Sequence, residues 1–121
     1  VNGAAAIQGI TIRDDLFERY RSSEDFIQKY IFPGGFLPSL GFMKSLIKKN
    51  NLNLLKVNSY PDDYAKTLAT WRENFLKVWS NIAPLGFDET FKRMWEFYLS
   101  YCEAGFKSKN IDLIQFSMSN K

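Results

Sequence analysis

Residues 53–75 read NLLKVNSYPDDYAKTLATWRENF. The opening eight, 53–60, read as a strand. From Asp62 the period changes. Tyr64, Leu68, Trp71, Phe75, Val78, Trp79 and Ile82 recur at the spacing of one helical face, sustained to about Ala83, and Pro84 and Gly86 stop it. Tyr64 stands at the start of that helix, behind Asp62 and Asp63, in a chain with no histidine. Either it is the first core residue of the stripe or its hydroxyl points at something.

Working outward, residues 3–12, GAAAIQGITI, are small and β-branched, the pattern of a strand buried on both faces, with Gly9 marking a close approach of backbone or ligand. The next stretch, DDLFERYRSSEDFIQKYIF (14–32), predicts two short helices parted at Ser22 and Ser23, with Ser22 and Asp25 spaced as a capping box. Pro33, Gly34 and Gly35 end the second. PSLGFMKSLIKKN (38–50) predicts a helix from Ser39 with Leu40, Met43, Leu46 and Ile47 as its apolar stripe. A further long helix is capped near Asp88 and carries Phe91, Met94, Trp95, Tyr98, Leu99 and Cys102 on one stripe, so Cys102 reads as a buried thiol. IDLIQFSMS (111–119) alternates apolar and polar residues as a last strand.

The order is strand, helices, strand, two long helices, strand, which is α/β. Three strands are few for a sheet that helices must cover, so the chain reads as part of a doubly wound domain. It begins with Val1, which fits one domain of a longer protein.

Composition narrows the function. Among 121 residues, 45% are apolar and 17% aromatic, including eleven Phe, six Tyr and three Trp, too apolar a load for a disordered chain. So many rings in one small domain also suggest that some are covered by a ligand, a partner or further chain. The net charge of +3 is spread rather than blocked. Lys44, Lys48 and Lys49 read as a solvated helix face, with an anionic surface as the alternative, and no nucleic-acid motif accompanies them. One cysteine excludes an internal disulfide and favours a reducing interior. No apolar run reaches the ~18 residues of a membrane span. There is no G-x-G-x-x-G loop, P-loop, H-E-x-x-H or Cys/His cluster, so these residues by themselves hold neither a nucleotide cofactor nor a metal.

QKYIFPGGFLPS (28–39), DDYAKTLATWRENF (62–75), LGFDETFKRMWEFYLSYCEAGF (85–106) and IDLIQFSM (111–118), in that order, resemble the C-terminal part of the cyclopropane-fatty-acyl-phospholipid synthase family, which are S-adenosylmethionine-dependent methyltransferases. The resemblance runs from about Ala4 to Met118. It implies the C-terminal portion of a Rossmann-like class I methyltransferase sheet, with the S-adenosylmethionine loop in an N-terminal half outside residues 1–121 and the segment by itself inactive. It further implies methylenation of cis double bonds in unsaturated phospholipid acyl chains, through a carbocation that loses a proton and closes a cyclopropane. The proton acceptor it implies is bicarbonate. A cytoplasmic protein peripheral to the inner membrane face would follow, with no nucleic-acid partner.

Residue by residue, Tyr64 matches the family tyrosine whose hydroxyl donates to bicarbonate. A helix start favours an anion, and a neutral phenol donates without adding charge; Asp62 or Asp63 as N-cap would compete for the helix donors and leave the binding to the phenol. Gln8 falls where the family has a histidine, and Ile10 where a backbone N–H faces the anion. Gln8 departs from the pattern, because an amide donates as an imidazole does but cannot titrate near neutrality. Phe32, Phe36, Trp71 and Phe75 are the candidate walls of an acyl-chain site. They flank the Pro-Gly-Gly turn or share the face of Tyr64, and rings facing a cation contribute about 0.5–2 kcal/mol each. The competing reading is a mostly helical module that holds an apolar ligand or partner without chemistry. On the first reading, the sheet edge and apolar faces that the N-terminal half would cover favour self-association of the segment.

Overall fold

The computed structural model describes residues 3–120. The elements run β1 (Ala4–Ile12), α1 (Asp14–Arg21), α2 (Phe26–Tyr30), α3 (Leu40–Lys49), β2 (Leu52–Ser59), α4 (Pro61–Lys77), α5 (Trp79–Ile82), a 3-10 turn (Ala83–Leu85), α6 (Glu89–Lys107) and β3 (Ile111–Asn120). The fold is α/β, a three-stranded sheet with helices packed on it. β3 lies between β1 and β2 and is antiparallel to both. β1 and β2 therefore run in the same direction and do not pair, where a doubly wound reading leads one to expect neighbouring parallel strands.

Alternation along β3 divides its side chains between two layers. Ile114 and Phe116 pack with Ile47 of α3 on one face. Leu113, with Ile10 of β1, meets the other layer, in which Ala65 and Leu68 of α4 lock against Leu99, Cys102 and Phe106 of α6. Arg72 of α4 ties the two long helices together. Its guanidinium donates to Ser100 Oγ at 2.8 Å and pairs with Glu103 Oε2 at 3.0 Å, and Glu103 also accepts from Lys107.

Several expectations change. The capping box lies three residues later than expected: Asp25 Oδ1 accepts from the Gln28 N–H at 2.8 Å while Gln28 Oε1 accepts from the Asp25 N–H at 3.0 Å. Ser22 instead donates back to the Glu18 and Arg19 carbonyls, closing α1. Neither Asp62 nor Asp63 caps α4. Tyr60 is its N-cap and Pro61 its first residue, where a missing N–H costs nothing, so both carboxylates fall in the first turn. Tyr60 has another attachment, since its N–H donates to the Leu113 carbonyl at 2.8 Å and anchors the helix start to β3. The helical run over 62–83 breaks at Val78, which is both the C-cap of α4 and the N-cap of α5.

β1 is not buried on both faces. Residues 4–8 are exposed, and Ile7 retains 42% of its accessible surface. Among the described residues β1 has a partner strand on one side only, and the long helices cover only its C-terminal end. A Cβ at Gly9 would meet nothing within 4 Å, so no close approach requires that glycine here.

Candidate site at the start of α4

Tyr64 projects from the first turns of α4 onto the face that Leu68, one turn later, shares. Its ring stands edge-on to Phe106 of α6 at 4.8 Å and to Trp71 at 6.0 Å. The hydroxyl has no hydrogen-bond partner among the described residues, and burial, assisted by the neighbouring Cys102 thiol, raises its pKa above the ordinary phenol value. It borders a cavity of about 120 Å³ whose wall also contains Ile10, Phe32, Phe36, Tyr98 and Cys102. The tyrosine is thus half-buried, available as a neutral donor, and set against an apolar space.

The Pro-Gly-Gly turn supplies the wall opposite. Gly34 takes φ +78°, a left-handed conformation that a side chain disfavours, and the Gly35 N–H donates to the Phe32 carbonyl at 2.8 Å. The tight turn brings Phe32 and Phe36 to the same cavity, where they remain 56% and 51% exposed. Gln28 secures the turn by donating from Nε2 to the Gly35 carbonyl at 3.2 Å.

The carried-over positions separate. Ile10 reaches the cavity with its side chain, and its N–H lies on the side of β1 away from β3. The Ile12 N–H leaves the sheet to reach the Pro38 carbonyl, and antiparallel pairing repeats every two residues, so the Ile10 N–H faces the same free edge of β1. Gln8 is outside the cavity wall. Its side-chain oxygen accepts from Gln115 Nε2 at 2.9 Å across the sheet, beside a shallow open depression that includes Asn58 and Lys56. Trp71 and Phe75 are also outside it. Trp71 backs Tyr64 from the solvent side at 48% exposure, and Phe75 packs on Trp79 and Phe91. At about 1.5 Å per residue Phe75 lies roughly 16 Å along α4 from Tyr64, too far to share its pocket.

Tyr98 and Cys102 were legible as one α6 stripe, yet that stripe was read only as core. In the fold they face Tyr64 across the cavity. Burial, with smaller contributions from Cys102 and Tyr64, pushes the Tyr98 phenol up to about 12. Burial and the charge of Asp25 push the Cys102 thiol up to about 11. Both are neutral at physiological pH, which keeps this wall uncharged. Asp25 brings a carboxylate to the rim, where it caps α2 and lies 3.5 Å from the Tyr101 hydroxyl. No group of acidic or Cys residues among the described residues could hold a metal, and no helix among them is long and apolar enough to cross a membrane.

Comparison with known proteins places this arrangement in context. The family model described as mycolic acid cyclopropane synthetase matches residues 1–116. A tuberculostearic acid methyltransferase of Mycobacterium tuberculosis is 43% identical over 117 residues, covering 96% of this chain and 27% of that protein. The cyclopropane-fatty-acyl-phospholipid synthase of Escherichia coli K12 is 35% identical over 98 residues, covering 79% of this chain and 25% of that protein. A crystal structure of a mycolic acid cyclopropane synthase complexed with SAH and CTAB superposes with a TM-score of 0.86 at 26% identity, over 99% of this chain and 45% of that one. The chain spans about a quarter of the length of these curated relatives.

Proposed function

The chain belongs to the mycolic acid cyclopropane synthetase family, and from that premise we propose that it is the lipid-facing C-terminal part of a methyltransferase catalytic domain acting on cis double bonds of unsaturated phospholipid acyl chains. The methyl donor is S-adenosylmethionine, bound by an N-terminal half outside residues 1–121, and the segment alone is inactive. Its relatives' names support the chemistry: one is a cyclopropane-fatty-acyl-phospholipid synthase and another a tuberculostearic acid methyltransferase. A structural relative was crystallised with SAH.

The observation that carries the reading is the Tyr64 hydroxyl, unpaired among the described residues, on an apolar cavity also bordered by Ile10, Phe32 and Phe36. A carbocation formed in an alkyl chain needs a dry surround and a base. Phe32 and Phe36 offer apolar ring faces to such a cation, and the Tyr64 phenol would hold a bicarbonate ion by a donated hydrogen bond, the ion supplying the base. The Ile10 N–H, at the free strand edge, is the second donor assigned to that ion. Gln8 is engaged with Gln115, so anion binding is assigned to Tyr64 and Ile10 ahead of it. Phe32 and Phe36 are the acyl-chain walls, with Trp71 a support for the Tyr64 ring and Phe75 a half-buried packing partner of Trp79 and Phe91.

The protein works at the cytoplasmic face of the membrane, and the isolated segment self-associates through the open edge of β1. The deciding experiment uses the full-length enzyme with vesicles of monounsaturated phospholipid. Tyr64→Phe lowers methyl transfer by roughly 10- to 100-fold, the value of a hydrogen bond to a charged group, while S-adenosylmethionine affinity is retained. Wild-type turnover that is unchanged in bicarbonate-free buffer overturns the assignment.

A further inference from the structure

The cavity beside Tyr64 is small for an acyl chain, at about 120 Å³. A second, larger cavity of about 430 Å³ adjoins it. The two share Tyr20, Asp25, Ile27, Leu37 and Ile111, so these residues form the wall between them, with the Asp25 carboxylate as its charged member. Tyr20 is held in place at both ends. Its hydroxyl accepts from the Leu37 N–H at 3.0 Å, and its ring lies 5.9 Å from that of Phe36. Beyond the wall the space opens over Leu16 of α1 and over the exposed Ala104 of α6, while Gly105 packs closely against Ile111, whose side chain an added Cβ would approach to 3.0 Å.

We propose that Tyr20 is a specificity-determining residue: it closes the far end of the Tyr64 cavity and so limits how much of an acyl chain can extend past the reacting carbons. This rests on the acyl-chain reading given above. With the wall closed, the alkene can reach Tyr64 only if the tail beyond it fits the small compartment. With the wall opened, a longer tail passes into the larger cavity. Double-bond position, counted from the methyl end, therefore depends on the wall that this anchored phenol ring completes.

The test is product analysis by mass spectrometry, using the full-length enzyme and vesicles of two phosphatidylglycerols whose acyl chains have equal length but cis double bonds four carbons apart. Tyr20→Ala shifts the preference toward the alkene with the longer distal tail by at least about tenfold, the discrimination that even one methylene can carry in an apolar pocket. Tyr20→Phe, which keeps the ring, retains the wild-type preference. Ala104→Phe fills the second cavity from its far side. It leaves the wild-type preference unchanged and abolishes the gain when combined with Tyr20→Ala. Should Tyr20→Ala fail to fold, Tyr20→Leu keeps the contact with Phe36 while opening the wall, and the same shift is expected. An unchanged preference in a folded Tyr20→Ala or Tyr20→Leu enzyme overturns the proposal and leaves the proposed reaction standing. A wild-type enzyme that methylates neither lipid overturns the reaction itself and this inference with it.

Discussion

The ring of Phe106 on α6 meets the ring of Tyr64 on α4 edge-on, with centroids 4.8 Å apart and planes 82° from parallel. Phe106 is buried to 1% exposure, so this contact fixes the phenol from the core side while Trp71 braces it from the other. The hydroxyl adds nothing to that packing. Ring and hydroxyl are therefore separable by mutation.

Tyr64→Phe should leave stability within about 0.5 kcal/mol of wild type, because no protein hydrogen bond is lost. Tyr64→Ala should cost about 2–4 kcal/mol, since it empties a space lined by Phe106, Leu68 and Tyr98. Urea unfolding of the two variants checks the difference. Equal losses would mean that the hydroxyl has a structural partner.

Stability should fall in alkali. Burial raises the folded-state pKa of Cys102 to about 11, so the native thiol keeps its proton where the unfolded thiol has lost it. The contribution is intact below the unfolded pKa near 9 and disappears as pH rises through the folded value, a loss of about 2 kcal/mol. Cys102→Ala should flatten the decline between pH 9 and 11 in denaturant titrations. By the same argument Cys102 should resist thiol reagents at pH 8 until the protein unfolds.

Glu103 makes the opposite prediction. It is 7% exposed and accepts from Lys107 while pairing with Arg72 at 3.0 Å, and these contacts hold its carboxyl below the usual range, led by Lys107. Its contribution is present above the unfolded carboxylate pKa and is lost as pH falls through the lower native value. Glu103→Gln should cost about 1.5–3 kcal/mol at pH 7 and should weaken the acid dependence below pH 4.5. Thermal melts across that range read both effects. An unaltered melting temperature at neutral pH would rule out this link between α4 and α6.

Asp25 caps a helix of only five residues, so α2 depends on it more than a long helix would. Asp25→Ala should cost about 1 kcal/mol and speed hydrogen exchange at the amides of α2, whereas Asp25→Asn should stay close to wild type. Exchange unaffected by the alanine would show that the Pro-Gly-Gly turn alone holds the segment.

Local signals in the sequence located most elements. Ser39 and Asp88 act as N-caps as their positions predict, each accepting from the N–H three residues on. Period-2 alternation found β3, and the 3.6 period found α4 and α6. The Ser22 cap failed because two acidic or hydroxyl cap candidates stand three residues apart, and the position of the helix between them decides which is used. β1 was misjudged because runs of Ala, Gly and Ile look alike whether covered or not: composition records what could be buried, not what lies above it.

The sequence alone determined the α/β class, the helix faces, the buried thiol and, through its extended resemblance, the family. All of these follow from short-range periodicity or from residues in matched order. The tertiary structure alone decided which aromatic side chains surround Tyr64. Phe32 and Phe36 approach it through a turn, Tyr98 and Cys102 approach from another helix, and Trp71 and Phe75 on its own helix do not enter the cavity. A cavity is formed by side chains brought together from separate elements. Spacing along one helix specifies direction around that helix, but it carries no information about which other helix will face it.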